Sequence, residues 1–144
     1  MLKKVFEPIK FGSVEIKNRF IVSAMVMNCC TEDGKATEKF IAYHEEKAKG
    51  GWGLIITEDY AVDPMGKGYP YIPGFWKDEQ IESHAEVTRR VHAAGGKILA
   101  QIYHAGRQTQ ARIIGAQPVA PSAIPCPVKK EVPRELTTGE IREI

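Results

Sequence analysis

The sequence has no apolar run able to cross a bilayer: its densest stretches, Phe20 to Met27 and Leu54 to Thr57, fall far short of the roughly 20 residues required. Its start, Met1-Leu2-Lys3-Lys4-Val5-Phe6-Glu7-Pro8, holds no apolar stretch suited to a signal peptide. Charge of one sign is also missing. Against 20 Lys and Arg stand 18 Asp and Glu, and a net charge of +2 gives no electrostatic ground for a nucleic-acid or anionic-membrane partner. Cysteine is scarce: Cys29 and Cys30 adjoin and Cys126 is distant, which makes neither a disulfide framework nor a C-x-x-C metal knuckle. Free thiols in a reducing, cytoplasmic setting are the expectation. His44, His84, His92 and His104 share no ligand spacing, so no metal site is expected.

What is present is the material of one soluble domain: 144 residues, 43% hydrophobic and 26% charged, within the usual range for globular chains. Phe11-Gly12-Ser13-Val14-Glu15-Ile16 sets a Gly-Ser turn between short β-prone pieces, which predicts a small hairpin. Arg19 to Ser23 reads as a buried strand, and Trp52 to Thr57 as a second, covered on both faces. Between them Thr37 caps a predicted helix with Phe40, Ile41, Tyr43 and Ala48 at helical spacing, stopped at Gly50-Gly51. Pro64, Gly66, Gly68, Pro70, Pro73 and Gly74 predict a long ordered loop from Asp59 to Lys77. Asp78 then caps a second predicted helix, with Ile81, Ala85, Thr88, Val91 and Ala94 on its apolar face and Gly95-Gly96 at its end. Lys97 to Tyr103 is the third strand. Gly115 to Pro133 reads as loop, and Thr137-Thr138-Gly139-Glu140 as a capping box that opens a third helix.

Alternating strands and helices call for crossover connections and a parallel sheet. An open doubly wound sheet would carry G-x-G-x-x-G after its first strand, but Ser23-Ala24-Met25-Val26-Met27 contains no glycine. A (β/α)8 barrel is therefore favoured.

Several short segments together resemble the Old Yellow Enzyme family of FMN-dependent oxidoreductases, in its NADH:flavin oxidoreductase and 2,4-dienoyl-CoA reductase-like branch. They are Phe6-Glu7-Pro8-Ile9-Lys10, Lys17-Asn18-Arg19-Phe20, Ser23-Ala24-Met25, Gly53-Leu54-Ile55-Ile56-Thr57-Glu58, Gln101-Ile102-Tyr103-His104-Ala105-Gly106-Arg107 and Ala120-Pro121-Ser122-Ala123-Ile124. The resemblance implies a TIM barrel with FMN at the carboxyl ends of its strands, reduced by NADH or NADPH and reoxidised by a small-molecule alkene conjugated to a carbonyl. A complete barrel takes about 250 residues, so residues 1–144 would be its amino-terminal portion, with three βα units after an N-terminal hairpin. The family's proton-donor tyrosine, oxyanion histidine pair and late phosphate loops would lie beyond Ile144, and no catalytic residue is assigned within this stretch.

By the same resemblance, Ser23, Ala24, Met25 and Val26 would line one edge of the flavin, with Asp59 at the end of the second strand. Gln101 shares a strand face with Leu99 and Tyr103, opposite Ile98, Ala100 and Ile102, so its amide is expected to point into the barrel mouth. Asn28, His104 and Arg107 fall in loops that would border the substrate. Cys29-Cys30 read as buried or loop thiols, and His44, His84 and His92 as surface or packing residues.

The chain departs from the family pattern at two places. Val26 stands where many members place a threonine or cysteine that hydrogen-bonds the flavin, and Val26 cannot do so. Glu58-Asp59 stands where a small residue is usual, and an anion beside reduced flavin is unfavourable. Asp59 either points away or alters the redox potential. A second reading remains open: a non-catalytic chain that folds or self-associates, pairing its open sheet edges with another copy.

Overall fold

A computed structural model places residues 3–144, the residues described below. The chain opens with the expected hairpin: β1 (Ile9–Phe11) runs antiparallel to β2 (Val14–Ile16) across Gly12-Ser13. Branched residues then favour the pleated backbone in β3 (Ile21–Val22), β4 (Leu54–Ala61) and β5 (Lys97–Tyr103), which form a parallel sheet in the order β3-β4-β5.

Two helices supply the crossovers. In α1 (Glu38–Lys49) the Thr37 side chain accepts the Phe40 N–H, as the cap reading required, and Gly51 turns the chain out of the helix at φ +93°. After α2 (Ile81–Ala93), Gly95 does the same at φ +75°. Both helices cover one face of the sheet. Val22, Ile55, Ala48 and Val91 form one cluster there, and Phe40, Ile41, Cys30, Tyr60 and Val87 another, with Ile98 touching both. Burial of each large apolar side chain contributes about 1.5–3 kcal/mol, so this layer anchors the strands whose ends carry the site.

Two expectations are corrected. Asp78 does not cap α2: Asp78–Gln80 forms a 3-10 turn, and the cap is inverted, with the Gln80 side chain accepting the N–H groups of Trp76 (3.0 Å) and Lys77 (3.2 Å). The apolar face of α2 is also rotated. His84, Val87 and Val91 are buried, while Ile81 is 61% exposed. His84 can be buried because its polar atoms are matched. Nε2 lies 2.9 Å from the Gly34 carbonyl, which only accepts, so the ring proton sits there and Nδ1 accepts from the Tyr60 hydroxyl at 3.0 Å.

The second strand also runs further than expected, to Ala61, and the following loop is tied back by a parallel bridge from Ala61 to Gly74. Beyond β5 come α3 (Ala111–Ile114), then β6 (Val119–Ala120) paired in parallel with β7 (Arg134–Glu135), which interrupts the stretch expected to be loop. At the end, α4 (Thr138–Glu143) carries the anticipated capping box, with Thr137 and Glu140 satisfying each other's backbone N–H groups. Among the described residues no helix is long and apolar enough to cross a membrane.

Candidate functional site

A strand with strict alternation would send Ile55, Thr57 and Asp59 to the same face, that of the helices. The register prevents this. Ile56 pairs with Leu99, but the next pair is Asp59 with Gln101, so β4 advances three residues while β5 advances two. This one-residue bulge at Thr57-Glu58 reverses the parity of β4. Asp59 thereby joins Ile56, Leu99, Gln101 and Tyr103 on the face turned away from α1 and α2, while Tyr60 returns to the helix side.

The bulge is held by its own side chains. Thr57 Oγ1 accepts the Gln101 N–H at 3.2 Å and donates to the Glu58 carbonyl at 2.9 Å. Glu58 is 1% exposed; its Oε2 accepts the Asn28 N–H at 3.2 Å, and Oε1 has no partner. Burial raises the Glu58 carboxyl above its ordinary range, against the lowering effect of backbone N–H groups from Asn28 and Met27.

The expected site residues fall at the carboxyl ends of the three strands and in the loops beyond. Ser23, Ala24, Met25 and Val26 follow β3, with Met25 52% exposed. Gln101 hydrogen-bonds through its backbone, and its exposed amide head makes no bond among the described residues. The bulge turns Asp59 to the same face of the sheet as Gln101. Burial raises its carboxyl, and no donor or cation offsets that effect. Tyr103 is pushed up to about 12 by burial first, then by Asp59 and Tyr69.

The loop residues are more constrained. Asn28 adopts φ +50°, donates its N–H to Glu58 and accepts the Tyr71 N–H on Oδ1 at 2.8 Å, so both groups are committed to the framework. His104 Nδ1 accepts the Gly106 N–H at 3.0 Å, its Nε2 is buried without a partner, and burial lowers its pKa. Arg107 ties two loops together through the Pro125 carbonyl. Cys30 sits in the core on the helix side and Cys29 is half-buried against that cluster. Among the described residues no three His, Cys, Asp or Glu side chains converge as a metal site would require.

Thr57 and Tyr103 were not singled out from the sequence, and Glu58 only as the neighbour of Asp59. The available signal was the polar Thr57-Glu58-Asp59 run inside an otherwise apolar strand.

The inner face thus offers the exposed apolar side chain of Leu99 beside an amide that can donate and accept, with the exposed Met25 in the segment that follows β3. That donor set fits a flat heteroaromatic ring with carbonyl and N–H groups along one edge. The exception is Asp59, which suits such a ring only as a neutral acid.

The family model for the NADH:flavin oxidoreductase / NADH oxidase family matches residues 4–144. The NADH oxidase of Thermoanaerobacter brockii is 42% identical over 142 residues, spanning 97% of this chain and 22% of its own length. The NADPH dehydrogenase of Bacillus velezensis is 39% identical over 144 residues, or 99% of this chain and 42% of the relative. Among solved structures, an old yellow enzyme homologue from Zymomonas mobilis superposes with a TM-score of 0.84 at 37% identity, over 97% of this chain and 41% of that one. A 2-naphthoyl-CoA reductase in complex with 2-naphthoyl-CoA gives 0.93 at 30% identity, over 99% and 24%. The chain therefore spans less than half the length of these relatives, and its fold is that of part of a (β/α)8 barrel.

Proposed function

This chain belongs to the NADH:flavin oxidoreductase / NADH oxidase family, and on that premise we propose that it forms the first three strand–helix units of an FMN-holding barrel. The observation that carries the proposal is the placement of Gln101, an uncommitted amide at the carboxyl end of β5 on the face opposite the helices. In barrels of this class ligands are held at that end of the strands.

In this reading FMN, when bound, supplies the hydride relay from NADH or NADPH to an alkene conjugated with a carbonyl. The chain's own residues do the holding. Gln101 presents a donor and an acceptor to the polar edge of the ring. Ser23, Ala24, Met25 and Val26 flank it, and Met25 with Leu99 keeps water from its face. Val26 offers no hydrogen bond, so tuning along that edge falls to other groups. Asn28 and Arg107 shape the loops around the substrate through bonds to the Tyr71 N–H and the Pro125 carbonyl, and His104 keeps one unmatched ring N–H near them. The three free cysteines fit a reducing, cytoplasmic setting. The edges of β3 and β5 are uncovered in the sheet order, which supports pairing with further strands or with a second copy of the chain.

The test is addition of FMN to the purified chain, read by flavin fluorescence and absorption. Binding is expected to weaken at least tenfold in Gln101→Ala. Unchanged affinity in that variant, or no binding by the parent chain, overturns the proposal.

A further inference from the structure

The bulge in β4 has brought a carboxyl to a surface where an uncharged residue would be simpler. Asp59 lies beside Gln101 on the inner face of the sheet, and its position there is fixed by the Thr57 hydroxyl bridging the two strands. We propose that Asp59 and Gln101 together bind the polar edge of the flavin ring, with Asp59 taking up one proton from solvent as FMN binds and donating it in a hydrogen bond to a ring carbonyl. The inference rests on the FMN reading above.

That edge of an isoalloxazine has two carbonyl oxygens flanking one N–H, so its complement is two donors and one acceptor. The Gln101 amide can turn one N–H and its oxygen to that edge. A second donor is still required, and Asp59, the residue paired with Gln101 across the two strands, is placed to supply it from its neutral carboxyl. Ionised, the same group would set an acceptor against an acceptor in a site from which the ring excludes water, an unfavourable contact on both counts. The proton balance is simple: one H+ moves from solvent to the Asp59 carboxylate, and no covalent bond of the ring changes.

The surroundings permit this. The titratable groups coupled to Asp59 are Glu58 on the same strand and Tyr103 on β5, with Tyr69 from the following loop beside Tyr103. None is a cation that would hold the carboxylate ionised, and burial already favours the neutral form. Of the three, Glu58 alone is a carboxylic acid, and it faces the Asn28 backbone.

The experiment measures FMN affinity of the full chain from pH 5 to 9 by fluorescence, with circular dichroism checking that each variant folds. For the parent, affinity is expected to fall with rising pH, approaching tenfold per unit once free Asp59 is ionised. Asp59→Asn keeps a donor without a charge, so it should bind more tightly than the parent at pH 9 and lose the Asp59-linked slope. Asp59→Ala should lose the slope and bind more weakly at pH 5. Glu58→Gln should retain the parental slope. Riboflavin, which lacks the phosphate, should reproduce the difference between parent and Asp59→Asn. If parent and Asp59→Asn bind with the same pH dependence, the role of Asp59 is overturned while the FMN reading stands. If none binds FMN at any pH, the FMN reading fails and this inference with it.

Discussion

The backbone N–H of Gln101 donates to the side chain of Thr57, at 3.2 Å to Oγ1. A hydroxyl from the bulge thus fixes the end of β5 against β4. Thr57→Val keeps the shape but removes the acceptor and leaves a half-buried N–H unmatched. The expected loss is about 1–2 kcal/mol of stability, with faster hydrogen exchange at the Gln101 amide. Thr57→Ser should restore protection of that amide. Slow exchange at Gln101 in Thr57→Val would show that the hydroxyl does not hold the strands in register.

Glu58 is buried with one carboxylate oxygen unpartnered, and burial raises its pKa. An acid whose folded pKa lies above its unfolded value costs stability when both states are ionised, and that cost is relieved as pH falls through the folded pKa. Glu58→Gln should therefore be more stable than the parent at pH 8, by on the order of 1–3 kcal/mol. The advantage should shrink on acidification toward pH 4. Urea melts at several pH values measure it, and a constant difference would mean that the Glu58 carboxyl titrates alike in the folded and unfolded chain.

The strand–helix alternation was legible because each element keeps one period and is marked by a cap or a glycine stop, as at Thr37, Gly51 and Gly95. The inner orientation of Gln101 was legible for the same reason, since β5 is regular from Lys97 to Tyr103. Asp59 was not. Its face depends on a parity change at Thr57-Glu58 that exists only relative to β5. The face of α2 was misread because His84 counts as polar by residue type, yet Tyr60 and Gly34 satisfy both ring nitrogens. Long-range partners of this kind leave no local pattern. Nor do two-residue strands such as β6 and β7, whose pairing joins a segment inside the expected loop to residues just past its end.

Gly68 lies where a side chain would meet Tyr103: an added Cβ falls 2.5 Å from the phenol oxygen. Gly68→Ala must displace either the loop or a ring on the inner face, and overpacking of this sort costs about 1–3 kcal/mol. Removing the oxygen should recover part of the loss, so the double variant Gly68→Ala with Tyr103→Phe should be more stable than Gly68→Ala alone. Thermal melts of the four combinations decide the matter. Strict additivity would mean that the alanine acts elsewhere.

His44 is buried in α1 between the rings of Phe40 and Tyr43, and neither of its ring nitrogens has a partner. Burial, with a smaller contribution from Lys47, lowers its pKa from 6.5 to about 4. The neutral form is the one the fold accepts. The unfolded chain takes up a proton near pH 6.5 while the folded chain does not until about pH 4, so stability is lost as pH falls through that window. A shift of this size corresponds to about 3 kcal/mol at the acid end. His44→Leu removes the titrating group and two unmatched polar atoms while filling a similar space. It should exceed the parent by about 1–3 kcal/mol at pH 7.5, and the gap should widen toward pH 4. His84 remains in both proteins, so the difference between the two stability curves isolates His44. A gap that stays constant from pH 7.5 to 4 would place the His44 ring in contact with water or an acceptor and overturn its assignment as a neutral core residue.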